Sequence, residues 1–140
     1  MLTMWKRCST CALFMFIVLL AVPGTADELQ PMVKQTVDGV SFITGGVGIG
    51  ERNELKELFK KEYNCRIEIA NEKKEYLWKA HIRILNANGN EVFETQTCGP
   101  WLLADLQQGS YTAVVTHKNT TKKFKFSVTA DKKVAVYAIF

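Results

Sequence analysis

Histidine is scarce in this chain: only His81 and His117 occur among its 140 residues. His81 stands between Lys79 and Arg83 on the polar side of an alternating run, and His117 is followed by Lys118, so both read as solvated surface groups. No serine occupies a Gly-x-Ser-x-Gly elbow, and no His-x-x-Glu pair is present. With so few groups able to act as base or metal ligand, the chain reads as non-catalytic, with no cofactor and no metal. An excess of one charge is lacking too. The 18 basic residues are nearly matched by 14 acidic ones, without the clustered basic excess of a nucleic-acid domain. Long apolar runs are absent after residue 22, so no later segment reads as a membrane-spanning helix.

What is present begins at the N-terminus. Lys6 and Arg7 precede an apolar stretch from Cys11 to Val22, followed by Pro23, Gly24, Thr25 and Ala26. A core of about 12 residues is the length of a signal-peptide h-region and falls short of the roughly 20 that a spanning helix needs. Gly24 and Ala26 supply the small side chains that signal peptidase reads, so residues 1–26 are predicted to be a signal peptide and Asp27 the start of the mature chain. The predicted location is periplasmic or secreted, with no stable membrane insertion after cleavage. Export removes Lys6 and Arg7 from the 18 basic residues, leaving 16 against 14 acidic ones and a formal charge near +2.

Two of the four cysteines, Cys65 and Cys98, survive processing. In an oxidising compartment they are expected to form one disulfide, closing a loop of about 34 residues and stabilising the fold by a few kcal/mol. Two buried thiols are the alternative. Neither cysteine has the neighbouring CxxC or HxxxH partner that a four-ligand zinc site would need.

Residues 27–38 are polar, contain Pro31 and show no sustained period, so they read as a flexible N-terminal segment ahead of a domain over 39–140. Val40–Thr44 is a short β-rich run that leads into Gly45, Gly46, Gly48 and Gly50. Over Glu51–Tyr63, Leu55, Leu58, Phe59 and Tyr63 fall on one helical face and charged residues cover the rest, which predicts one amphipathic helix near 51–63. After Asn64 the period changes to two. Cys65, Ile67 and Ile69 alternate with Arg66 and Glu68, and Trp78, Ala80, Ile82 and Ile84 alternate with Lys79, His81 and Arg83. Further β-rich runs at 91–96, 101–104, 111–116, 122–128 and 134–139, with turns between, predict an antiparallel sandwich.

The stretch Asn88-Gly89-Asn90-Glu91-Val92-Phe93, then Gly99-Pro100-Trp101-Leu102-Leu103, then Leu106-Gln107-Gln108-Gly109-Ser110-Tyr111-Thr112-Ala113 resembles the carboxypeptidase regulatory-like domain of small exported bacterial proteins. The resemblance covers roughly Glu75 to Val128, and Gln108 stands where that family usually has proline. It implies a mainly β fold, a prealbumin-like antiparallel β-sandwich of about seven strands, here with one N-terminal amphipathic α-helix. It implies an accessory domain and not the peptidase. The C-terminal Tyr-Arg-Gly-Ser signature of transthyretin-like hydrolases has no counterpart in Val134–Phe140.

The expected function is a non-catalytic exported binding or structural module that recognises a protein or an envelope glycan. The alternatives are a small-ligand carrier with a cavity between helix and sheet lined by Leu55 and Phe59, and a hydrolase built on His81. Candidate binding residues are Trp78, Tyr76 and Trp101, as aromatic platform or as core, and Gly46 and Gly48, whose loop lies between a strand and a helix where backbone N–H groups can cradle an anion. That loop lacks the third glycine of a dinucleotide fingerprint, because position 51 is Glu51, and it reads first as a flexible connector. Lys118, Lys122, Lys123 and Lys125 form the one basic cluster, on and around a hairpin, and read as a solvated strand face.

Overall fold

The computed structural model describes residues 32–140; the predicted signal peptide and its cleavage point lie outside the described residues. Strand β1 (Gln35–Val37) turns through Asp38 and Gly39 into β2 (Val40–Gly45), with Val37 opposite Val40. Asp38 and Gly39 both have positive φ, 50° and 80°, the backbone of the two-residue turn that matches strand twist. The segment expected to be a flexible leader up to Asp38 is therefore paired as an edge strand over Gln35–Val37, and Asp38-Gly39 between two valines is the hairpin signal that marks it.

Helix α1 (Ile49–Lys61) follows, with Gly48 as N-cap, Glu51 in its first turn and Lys60 and Lys61 in its last, each charge opposed to the nearer end of the helix dipole. Lys133 closes its C-terminus, donating from Nζ to the carbonyls of Phe59 and Tyr63, each at 2.6 Å. Next come β3 (Cys65–Ala70), β4 (His81–Asn86), β5 (Glu91–Gln96), β6 (Trp101–Ala104), β7 (Gly109–His117), β8 (Thr120–Val128) and β9 (Val134–Ile139). The β4–β5 turn is held by Asn86, whose Oδ1 accepts from the N–H groups of Asn88 and Asn90, with Gly89 at φ 80°.

The protein is mainly β, with two sheets and one helix. One sheet runs β1-β2-β6-β3-β9 and the other β5-β4-β7-β8. Nine strands are present among the described residues, where about seven were expected. The pairing is also not wholly antiparallel: β9 returns from the second sheet to lie parallel to β3, with Cys65 opposite Val134 and Ala70 opposite Ile139. Between the sheets lies the main core, including Phe42, Ile67, Ile69, Ile82, Ile84, Phe93, Leu102, Ala113 and Val115. Phe42 and Phe93 stack across it at 5.5 Å. Helix α1 covers the other face of the first sheet, burying Leu55 with Ile43, Tyr63, Trp101 and Leu103. The molecule thus has three layers, and the middle sheet is covered on both faces where β2 and β6 run. That double cover is why Trp101–Ala104 is one continuous buried run and does not alternate.

Cys65 points into the main core, and burial pushes its thiol pKa up to about 12. It opposes Ala104 from one side of β6. The Cys98 N–H is bonded to Thr44 Oγ1 at 3.3 Å, on the opposite side of β6 and nearer that strand's start. Two strand spacings of about 4.8 Å already exceed the roughly 7 Å Cα separation that a disulfide spans. Cys65 is accordingly an unbridged thiol, and the expected Cys65–Cys98 link is not present in the fold.

Candidate functional site

The glycine loop and the first turn of α1 lock each other. The Glu51 carboxylate accepts from the N–H groups of Gly46 and Val47 at 2.9 and 3.2 Å, and the Arg52 guanidinium donates to their carbonyls at 2.8 and 3.0 Å. The backbone donors that would cradle an external anion are thus occupied by the chain's own carboxylate, and the connector is cross-bonded, in contrast to the flexible link expected. Gly46 has φ 89°, and a Cβ there would sit 3.2 Å from the Trp101 ring and 3.3 Å from Arg52. Gly48 serves as the N-cap, with open space around it.

From this loop a chain of rings and cations crosses the helix-bearing face of the first sheet. Arg52 lies over Tyr76 at 5.0 Å, and Tyr76 meets Trp101 edge-on at 6.5 Å. The guanidinium of Arg66 is held between Trp101 and Phe59, 5.0 Å from each ring centre. Its Nε makes an ion contact with Glu68 Oε1 at 2.9 Å without the alignment of a hydrogen bond, and its Nη2 donates to Tyr137 Oη at 3.3 Å. Glu68 is opposite Trp101 on one side and Tyr137 on the other, so Trp101, Glu68 and Tyr137 form one row across β6, β3 and β9. Burial raises the Glu68 carboxyl pKa above its ordinary value, partly offset by the attraction of Arg66 and Lys56. The Trp101 Nε1 donor is buried without a partner.

This row is flanked by exposed aromatic surface. Tyr76, Trp78 and Tyr137 are 40%, 50% and 56% exposed, whereas Trp101 is 2% exposed. Of the residues singled out from sequence, Tyr76, Trp101 and Gly46 are brought into contact, and Trp78 lies two residues from Tyr76. Trp78 was expected to share the buried row with Ala80, Ile82 and Ile84; those three are fully buried, but the chain enters β4 only at His81, so the alternation does not extend back to position 78. Arg52, Phe59, Arg66, Glu68 and Tyr137 were not singled out. Arg66 and Glu68 occupy the polar positions of an alternating strand, which reads as a solvated face until a helix is laid against it.

Elsewhere, two adjoining open hollows of about 420 and 470 Å³ lie where the Asn86–Asn90 turn meets the Gln107–Gly109 turn and Asp38-Gly39. Tyr111 braces that end, donating from Oη to the Gln107 carbonyl at 2.7 Å. The space between helix and sheet proposed for a carried ligand is filled by Leu55, which is fully buried there. His81 lies on the uncovered face of the second sheet, 3.3 Å from Glu94, with both side chains about half exposed. Lys123 and Lys125 are exposed on β8, while Lys122 turns to the Phe140 ring and the Ile139 carbonyl. No group of three metal-ligating side chains occurs among the described residues, and no helix there is long and apolar enough to cross a membrane.

No protein-family model matches the chain, and no curated protein matches it.

Proposed function

We propose that this chain is a non-catalytic exported binding module, periplasmic or secreted, which recognises a protein or an envelope glycan through the helix-bearing face of its first sheet. The observation that carries this reading is the grouping of exposed Tyr76 and Tyr137 around the Arg66–Glu68 pair, with half-exposed Trp78 close by in sequence. Aromatic rings offer apolar contact with a polar tip, and a fixed guanidinium and carboxylate offer directional donors and acceptors beside them. Phe59 and Trp101 hold Arg66 from both sides, so little side-chain freedom remains to be lost when a partner binds. A carboxypeptidase regulatory-like, prealbumin-like sandwich is the family reading that accompanies this proposal. It is supported by the two-sheet architecture and by the placement of the Asn-Gly and Leu-x-x-Gly-x-Tyr turns at one end of it.

The test uses the exported protein immobilised against defined cell-envelope fractions, purified peptidoglycan and outer-surface polysaccharide on one side and envelope proteins on the other. Replacing Tyr76 and Trp78 together by alanine is expected to lower retention at least tenfold while leaving the melting temperature nearly unchanged, since substitutions of exposed side chains usually alter stability by only about 0.5 kcal/mol. Equal retention by the variant, or no retention of any fraction by the parent protein, overturns the proposal.

A further inference from the structure

Strand β9 is the open edge of the first sheet. Its bonds to β3 are made at every second residue. Val134 N–H donates to the Asn64 carbonyl, Phe140 N–H to Ala70, and the Phe140 carbonyl accepts from Glu72 N–H. In a parallel ladder this alternation turns the N–H and C=O groups of Ala135, Tyr137 and Ile139 outward, away from β3. Of these, the Ile139 carbonyl is taken by Lys122. The edge carries no charge from Val134 to Phe140, in contrast to β8 at the same side of the second sheet, which bears Lys122, Lys123 and Lys125. Lysines on an edge strand discourage pairing with another chain, and β9 has none.

We infer that β9 pairs antiparallel with β9 of a second copy of this chain, about a two-fold axis through Val136. In that register Ala135 of one copy faces Tyr137 of the other, and the outward N–H and C=O of these two residues satisfy one another in four backbone bonds. The side chains complement each other, because the exposed tyrosine of each copy lies over the alanine of its partner. Charge agrees as well. Lys132 precedes the strand and Glu72 adjoins its far end through the bond to Phe140, so the two-fold brings the exposed lysine of each copy toward the exposed glutamate of the other. The Ile139 carbonyl and its bond to Lys122 are not disturbed. The product is one continuous ten-stranded sheet with both helix-bearing faces on the same side, which doubles the valency of that surface. An interface of two short strands is small, so the association is weak and dependent on concentration.

Sedimentation equilibrium on the exported protein tests this directly. Its weight-average mass is expected to climb toward twice the monomer value from micromolar to millimolar concentration. Ala135→Pro removes one outward donor and leaves the bonds to β3 intact, because residue 135 does not donate to that strand. It is expected to remain monomeric throughout, with an unchanged near-ultraviolet circular dichroism spectrum. Tyr137→Lys, which places a charge on the edge without altering the backbone, is expected to do the same. A parent protein that stays monomeric at millimolar concentration overturns the inference. A dimer that survives in both variants overturns it equally, since the contact would then lie elsewhere.

Discussion

Substituting Gly99 by alanine separates steric demand from backbone preference. The φ of Gly99 is not in the left-handed region, so an alanine meets no torsional penalty, yet its Cβ would stand 2.8 Å from the Cα of Gly45 and closer still to that residue's carbonyl carbon and oxygen. All three neighbours are backbone and have no rotamer through which to withdraw. Gly45 ends β2 opposite Trp101, and Trp101 in turn packs on Gly46, so relief requires the β2 terminus to move off β6 by roughly an ångström, with loss of that pairing. Overpacking of this kind costs on the order of 3 kcal/mol, which for a domain of this size lowers Tm by roughly 10–20 °C. The control is Gly50→Ala, in the first turn of α1 with open space around it, where helix propensity should raise stability by about 0.5–1 kcal/mol. Thermal melts followed by circular dichroism, with urea titrations alongside, read both variants. A Gly99→Ala protein melting within about 2 °C of the parent would refute the reasoning, because a clash with fixed backbone cannot be that cheap.

Arg66→Ala should destabilise the fold by about 2–4 kcal/mol, since it strips the contact from Phe59 and Trp101 and leaves the Glu68 carboxylate partly buried without its partner; a urea titration giving less than about 1 kcal/mol counts against this. Because the Glu68 carboxyl pKa is raised in the folded state, the protonated form is the better tolerated one. Its contribution to stability is present below the ordinary carboxylate value and is lost as pH rises through the folded pKa, so Glu68→Gln should gain on the parent between about pH 4 and pH 7. Parallel urea titrations at several pH values would show this, and a flat difference would contradict it. Cys65, buried with its thiol pKa pushed up to about 12, should resist iodoacetamide at neutral pH until denaturant is added, as peptide mass mapping can report. The same map, run without reductant, should contain no linked Cys65–Cys98 peptide pair.

The helix, most strands and the Asn88-Gly89 turn follow from local rules that need no tertiary information. A period of 3.6 over Leu55, Leu58 and Phe59, and a period of two over Cys65, Ile67 and Ile69, state which side chains share a face. Trp101 and Tyr111 are recognisable as buried residues on the same grounds. The edge strand β1 was also legible, in Asp38-Gly39 between Val37 and Val40, although the polar residues before it conceal the signal. The candidate site was less so. Tyr76, Trp78 and Trp101 are conspicuous by residue type, but nothing local assigns the first two to the surface and the third to the interior.

What the sequence determined by itself is the sidedness of each element; what tertiary structure decided is which side received a second cover. Periodicity records the contrast between two faces of one strand and carries no information about the element that settles on the outer one. Arg66 and Glu68 look like a solvent row and become a part-buried ion pair because α1 lies beside them and Phe59 and Trp101 close over the guanidinium. Cys65 and Cys98 look like partners and are held apart by the width of β6, a distance set by strand order. The parallel return of β9 beside β3 has the same origin. Alternation permits either neighbour and either direction, and only the packing of two sheets and a helix around a common core selects one.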